Sequence, residues 1–171
     1  MKLKLPYVLL GLMLIAAENV NGQAAPAWGW QQLDQGLEHG IFQATQASEV
    51  GDRKIHILRI DPQDWKFELL AAAAHDKKAR PAKYWASEFG LVAAVNAGMF
   101  QMDGLTNVGY MKVNDKVYNP RFNDDNTLIA FGTDSPKLPA FQIIDRECQN
   151  WKSLVDQYQN VTQGIRMMDC K

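Results

Sequence analysis

The sequence predicts an α+β fold: a mixed, largely antiparallel sheet with two short helices, incomplete at the C-terminus. Three observations predict it. Short runs of period-two alternation recur along the chain, turn residues separate them, and two segments carry helical boundaries or helical spacing. Trp28, Trp30 and Leu33 open the ordered region. Ile55, Ile57 and Ile60, interrupted by His56 and Arg59, alternate as a strand, and after the Asp61-Pro62 turn signal Trp65 to Ala72 predicts its antiparallel partner. Pro81 stands at a favoured first helical position and Gly90 follows Phe89 where a helix stops, so a short helix lies between them. Leu91 to Val95 is a continuous apolar run, expected as a strand covered on both faces.

Further along, Tyr110 to Asn114 alternates and resumes at Lys116 to Tyr118 across Asn114-Asp115, a hairpin pattern. Thr127 to Phe131 and Ala140 to Ile144 add two strands around a Gly132 to Pro136 turn. Trp151, Leu154, Val155 and Tyr158 recur at i, i+3, i+4 and i+7, which predicts a second, amphipathic helix before a terminal strand at Gly164 to Met168. No repeat, linker or low-complexity tract divides the chain, and its 171 residues match one average domain. With 47% hydrophobic and 22% charged residues it reads as globular. The net charge of −1 leaves no basic excess to hold a phosphate backbone, so nucleic acid is excluded as the main partner.

Residues 1–22 read as a signal peptide. Lys2 and Lys4 give the positive start, Leu5 to Ala17 the apolar stretch, and Val20-Asn21-Gly22 a plausible cut before Gln23. Thirteen apolar residues rise only about 20 Å, too short for a bilayer core of roughly 30 Å, so no membrane span is expected after cleavage. Export to a secreted or periplasmic location follows. In that oxidising setting the only two cysteines, Cys148 and Cys170, are expected to form one disulfide.

The most informative stretch is Leu91 to Phe100. An apolar run ends in Asn96 and passes through Ala97 and Gly98 to Met99 and Phe100, placing an amide beside a glycine where backbone can approach a ligand closely. Core filling by Met99 and Phe100, with Asn96 capping a turn, is the structural alternative.

The Asn96-Ala97-Gly98-Met99-Phe100 motif, followed by Asp103-Gly104 and by Gly109 to Asn114, resembles the phosphodiester glycosidase family. The resemblance extends through Asn123 to Gly132 and Thr162 to Met167, and covers most of 50–171. It implies a mixed α and β fold and hydrolysis of a sugar, N-acetylglucosamine in the lysosomal case, from a phosphodiester. Family members continue past the position of Lys171 with an Arg-containing strand and a Gly-rich acidic segment. Residues 23–171 are therefore expected to be the N-terminal part of such a domain, with an unpaired strand edge at its boundary.

Cleaving a glycosyl phosphate passes through an oxocarbenium-like transition state and needs a carboxyl group together with donors for the phosphate. Asn96 and Asp103 are the catalytic candidates. Gly98, Met99, Phe100, Arg121, Asn123 and Arg166 are the substrate-binding candidates, the two arginines as fixed cations for phosphate. Asp103-Gly104 is also a common turn dipeptide. The runner-up function is a secreted carbohydrate- or phosphate-binding module without turnover. No cofactor or metal is expected: Asn123 to Asn126 lacks calcium-loop spacing, and His39, His56 and His75 are far apart in sequence, with His56 expected to face solvent. Asn160-Val161-Thr162 is a glycosylation sequon, usable where the host glycosylates exported proteins.

Overall fold

The architecture was obtained as a computed structural model that describes residues 28–46 and 49–167. The expected signal peptide, Met168 and Cys170 lie outside these residues, and with Cys170 goes the expected bridge to Cys148. Strands β1 (Gly29–Asp34), β2 (Leu37–Gln43) and β3 (Lys54–Ile60) form a three-stranded antiparallel sheet in the order β1-β2-β3. Strands β4 (Met111–Val113), β5 (Lys116–Asn119), β6 (Thr127–Phe131), β7 (Phe141–Asp145) and β8 (Asn160–Gly164) form a second sheet in the order β5-β4-β8-β6-β7. Helices α1 (Ala82–Glu88) and α2 (Trp151–Val155) complete the α+β fold that the sequence predicts.

The larger sheet buries residues on both faces because its central strands alternate apolar groups to each side. On one side Leu128, Ala130, Ile144 and Val161 pack with Tyr110, Val155 and Tyr158 under α2. On the other, Met111, Val113 and Phe131 meet Leu69 and Ala71, with Phe67 in ring contact 4.6 Å from Phe141. Lys112 is buried between β4 and α2, where its ammonium donates a 2.7 Å hydrogen bond to the Val155 carbonyl at the helix C-terminus. A cation there opposes the negative end of the helix dipole.

The β4-β5 hairpin forms as expected. Asn114 and Asp115 both adopt the left-handed conformation, φ 47° and 63°, which a two-residue type I′ turn requires. Gly90 likewise ends α1 at φ 62°.

Four expectations are corrected. β3 pairs not with the Trp65 to Ala72 run but with β2, whose residues Leu37 to Gln43 carry no period-two pattern to announce a strand. The Trp65 to Ala72 run contains no strand; it lies extended across the larger sheet, turning Phe67, Leu69 and Ala71 inward. Burial thus explains its apolar pattern without ladder pairing. Leu91 to Val95 is no strand covered on both faces: Val92 and Val95 are 64% and 88% exposed, and no described strand pairs with the segment. Finally, α2 stops at Val155 and the last described strand begins at Asn160, four residues before the expected start. Tyr158 still reaches the core, carried by a turn rather than a helix, and donates its hydroxyl toward the Pro139 carbonyl at 3.0 Å.

Candidate functional site

The motif segment folds back on itself after Gly98. Val108 N–H donates to the Met99 carbonyl and Gln101 N–H to the Thr106 carbonyl, both at 2.8 Å, and Phe100 bridges Asn107. Residues 99–108 therefore form a loop with paired stems. The loop is anchored to β8 by the Thr162 hydroxyl, which donates to the Ala97 carbonyl at 3.0 Å.

Gly98 is needed for packing against the chain itself. A Cβ at this position would stand 2.5 Å from Asn107 Oδ1 and 3.3 Å from the Gln163 carbonyl. Any larger residue would push Asn107 aside. Asn107 is buried, and its Oδ1 accepts no hydrogen bond among the described residues, while its amide nitrogen donates to the Gly109 carbonyl. Asn96 is exposed, and its side-chain oxygen accepts from Gly98 N–H at 3.4 Å. Met99 and Phe100 are both more than half exposed, so neither fills the core.

Asp103 closes the tip of the loop. Its Oδ1 accepts the N–H groups of Leu105 and Thr106 at 2.9 Å, and its Oδ2 accepts the Thr106 hydroxyl at 2.5 Å. These bonds, the hydroxyl foremost, hold its carboxyl below the ordinary carboxylate range. The turn role that Asp-Gly suggests is thus filled, and the group is ionised at neutral pH.

The organising residue of the region is one the sequence reading passed over. Gln163, buried on β8, accepts through Oε1 from Tyr110 N–H at 3.0 Å and Asn123 N–H at 3.2 Å, and donates through Nε2 to the carbonyls of Asn123 and Asp125. All four hydrogen-bonding positions of its amide are filled. Gly109 makes room for it, since a Cβ there would meet Gln163 Oε1 at 2.6 Å. A glutamine in the short Asn160 to Gly164 run, two residues after Val161, was the available signal. Its partners, 38 to 53 residues away, were not.

Asn123 is half-buried in a turn: its Oδ1 accepts Asp125 N–H at 3.0 Å and its Nδ2 donates to the Asp125 carboxylate at 2.7 Å. Arg146 braces the same turn, donating to the Asn123 and Asp125 carbonyls at 2.7 and 2.9 Å while its guanidinium lies over the Phe122 and Trp151 rings. Arg121 is exposed and enters no ion pair among the described residues. Arg166 is engaged elsewhere, bound by Glu147 at 2.5 Å and Asp145 at 3.4 Å, and those carboxylates, Glu147 first, raise its affinity for its proton.

The structure therefore brings Gly98 and Asn123 to one residue, Gln163, through its backbone and its side chain respectively. Asp103, Met99 and Phe100 sit on the neighbouring loop, and Arg166 stands in its own ion-pair cluster. A cavity of about 380 Å³ lies at the end of β2 and β3, lined by Glu38, Arg59 and Asp61 among others, and none of the expected site residues borders it.

Fold and geometry define a small α+β protein built on two antiparallel sheets, with an amide-rich loop junction at one end of the larger. No family model, no curated protein and no solved structure matches the chain.

Proposed function

We propose that this chain acts on sugar phosphodiesters outside the cytoplasm, in a secreted or periplasmic setting, as a hydrolase of the glycosyl-phosphate bond. The observation that carries the reading is the junction on β8, where the Thr162 hydroxyl ties the Ala97 carbonyl beside Gly98 and the neighbouring Gln163 amide ties the Asn123 turn, setting the two turns in fixed relation. Beside it Asn96 and Phe100 remain exposed. Neutral amides suit sugar hydroxyls and an acetamido group, an exposed ring suits the apolar face of a pyranose, and Arg121 suits a phosphate oxygen.

In the reaction, water adds to the anomeric carbon as its bond to the phosphate oxygen breaks, giving free sugar and a phosphate monoester. Phosphate leaves readily once its charge is stabilised, so a strong general acid is dispensable. Asp103, held ionised by its turn, suits a stabilising role opposite the oxocarbenium carbon rather than proton donation.

A second reading is favoured by the same carboxylate. Both Asp103 oxygens are committed to its own turn, which suits a carbohydrate-binding module without turnover. Release of N-acetylglucosamine from a model phosphodiester separates the two. Turnover that Asn96→Ala abolishes supports the hydrolase. Saturable binding without release supports the module, and neither binding nor release would overturn both.

A further inference from the structure

Two histidines unrelated to the loop junction meet on the smaller sheet. His39 on β2 stands opposite Leu58 of β3, and Ile41 opposite His56, so the two imidazoles project diagonally from one face. Their rings are near parallel, 15° apart with centroids separated by 5.1 Å, and His39 Nε2 lies 3.0 Å from His56 Nδ1. The nitrogens meet, one donating and the other accepting. Seventeen residues separate the pair in sequence, so no ligand spacing was legible there.

We propose that His39 and His56 form a two-imidazole chelate for a borderline divalent transition-metal ion, Ni²⁺ or Cu²⁺ in preference to Zn²⁺. The argument is the span between donors. With metal–nitrogen bonds of about 2.0–2.1 Å, nitrogens 3.0 Å apart subtend roughly 94° at the metal, close to a cis pair of a tetragonal ion. A tetrahedral ion needs the nitrogens spread to roughly 3.3 Å.

The chemistry of the pair fits. Each neutral imidazole offers one lone pair, so the ring that donates within the pair carries its proton on its other nitrogen once metal binds, and both facing nitrogens then coordinate. His56 is exposed and His39 half-buried, so an ion has access and water can fill its remaining positions. Lys54, two residues from His56 on the same face, has its ammonium held by Asp52 at 2.7 Å, which offsets its repulsion of a cation. Among the described residues no third His, Cys, Asp or Glu joins the pair to make a closed cage. A bound ion would pin β2 to β3. The site is independent of the proposed function.

Calorimetric titration of the untagged chain with NiCl₂ and ZnCl₂ near neutral pH tests it. One saturable Ni²⁺ site tighter than the Zn²⁺ site is expected. His39→Ala and His56→Thr should each weaken Ni²⁺ binding by about tenfold or more, since even outer-shell changes have effects of that size, while His75→Ala leaves it unchanged. Unaltered affinity in the first two variants, or an equal loss in the third, would overturn the proposal. Because the variants can perturb the sheet, a second measurement uses the unaltered protein. Substoichiometric Cu²⁺ should broaden the ring resonances of His39 and His56 and spare those of His75, and broadening of all three alike or of none would also overturn it.

Discussion

Two side chains carry most of the local argument. Gln163 ties the 123–125 turn, which Arg146 also braces, to Tyr110 just before β4, with every polar atom of its amide satisfied. Gln163→Leu keeps the approximate bulk but strands the buried Tyr110 N–H and the half-buried Asn123 N–H, and leaves the Asn123 and Asp125 carbonyls with Arg146 alone as donor. That should cost about 2–4 kcal/mol, read as a lowered urea midpoint at unchanged slope. A loss below about 1 kcal/mol would mean water replaces the amide.

Asp103 gives the second prediction, in acid. Its folded-state affinity for a proton is depressed, so its stabilising contribution is present above the unfolded carboxylate pKa and vanishes as pH falls through the folded value. The melting temperature of Asp103→Ala should therefore lie below that of the parent at pH ~7, and the gap should close below pH ~4, where the unfolded carboxyl takes up its proton. A gap constant with pH would assign the loss to the turn geometry and not to the charge.

At the scale of elements, the β4-β5 hairpin tests how far turn chemistry fixes register. Asp115 pays a conformational penalty at φ 63° that glycine would not, and its N–H is anchored on the Gln159 carbonyl at 2.9 Å. Asp115→Gly should stabilise by about 0.5–1 kcal/mol, and Asp115→Val should destabilise by about 1–2 kcal/mol. Thermal unfolding of the two variants checks the opposite signs. The same hairpin was legible in sequence because its determinants are local: two strand-forming runs and a turn dipeptide between them. α1 was legible for a similar reason, through Pro81 and Gly90. The span of α2 was misjudged because helical spacing also arises when a helix hands its apolar face to a turn, as it does at Tyr158.

For the whole molecule, the consequential feature is the apolar Leu91 to Val95 segment. It leads into the motif loop, yet Val92 and Val95 face solvent and no described strand covers it. An exposed, apolar, uncharged stretch in that state is an aggregation hazard. The double variant Val92→Lys/Val95→Lys should change unfolding free energy by no more than roughly 0.5 kcal/mol per site while suppressing light scattering on heating. Scattering that is unchanged would place the sticky surface elsewhere, with the exposed Ile55 and Ile57 of β3 the next to test.

Composition and local pattern were sufficient for the α+β class, for one hairpin, for the β6-β7 pair and for α1, because those depend on spacing, turn residues and side-chain period within a few positions. They also singled out residues 96–100 as the stretch around which a site would be built. Tertiary structure alone decided the rest. An apolar run looks the same whether it joins a ladder, as β6 does, lies across a sheet, as Phe67 to Ala71 does, or stands in solvent, as Val92 to Val95 does, since its fate depends on partners distant in the chain. For the same reason the role of Gln163 and the meeting of His39 with His56 were invisible: hydrogen bonds and ring contacts are selected by proximity in space, and proximity is set only when the strands have paired.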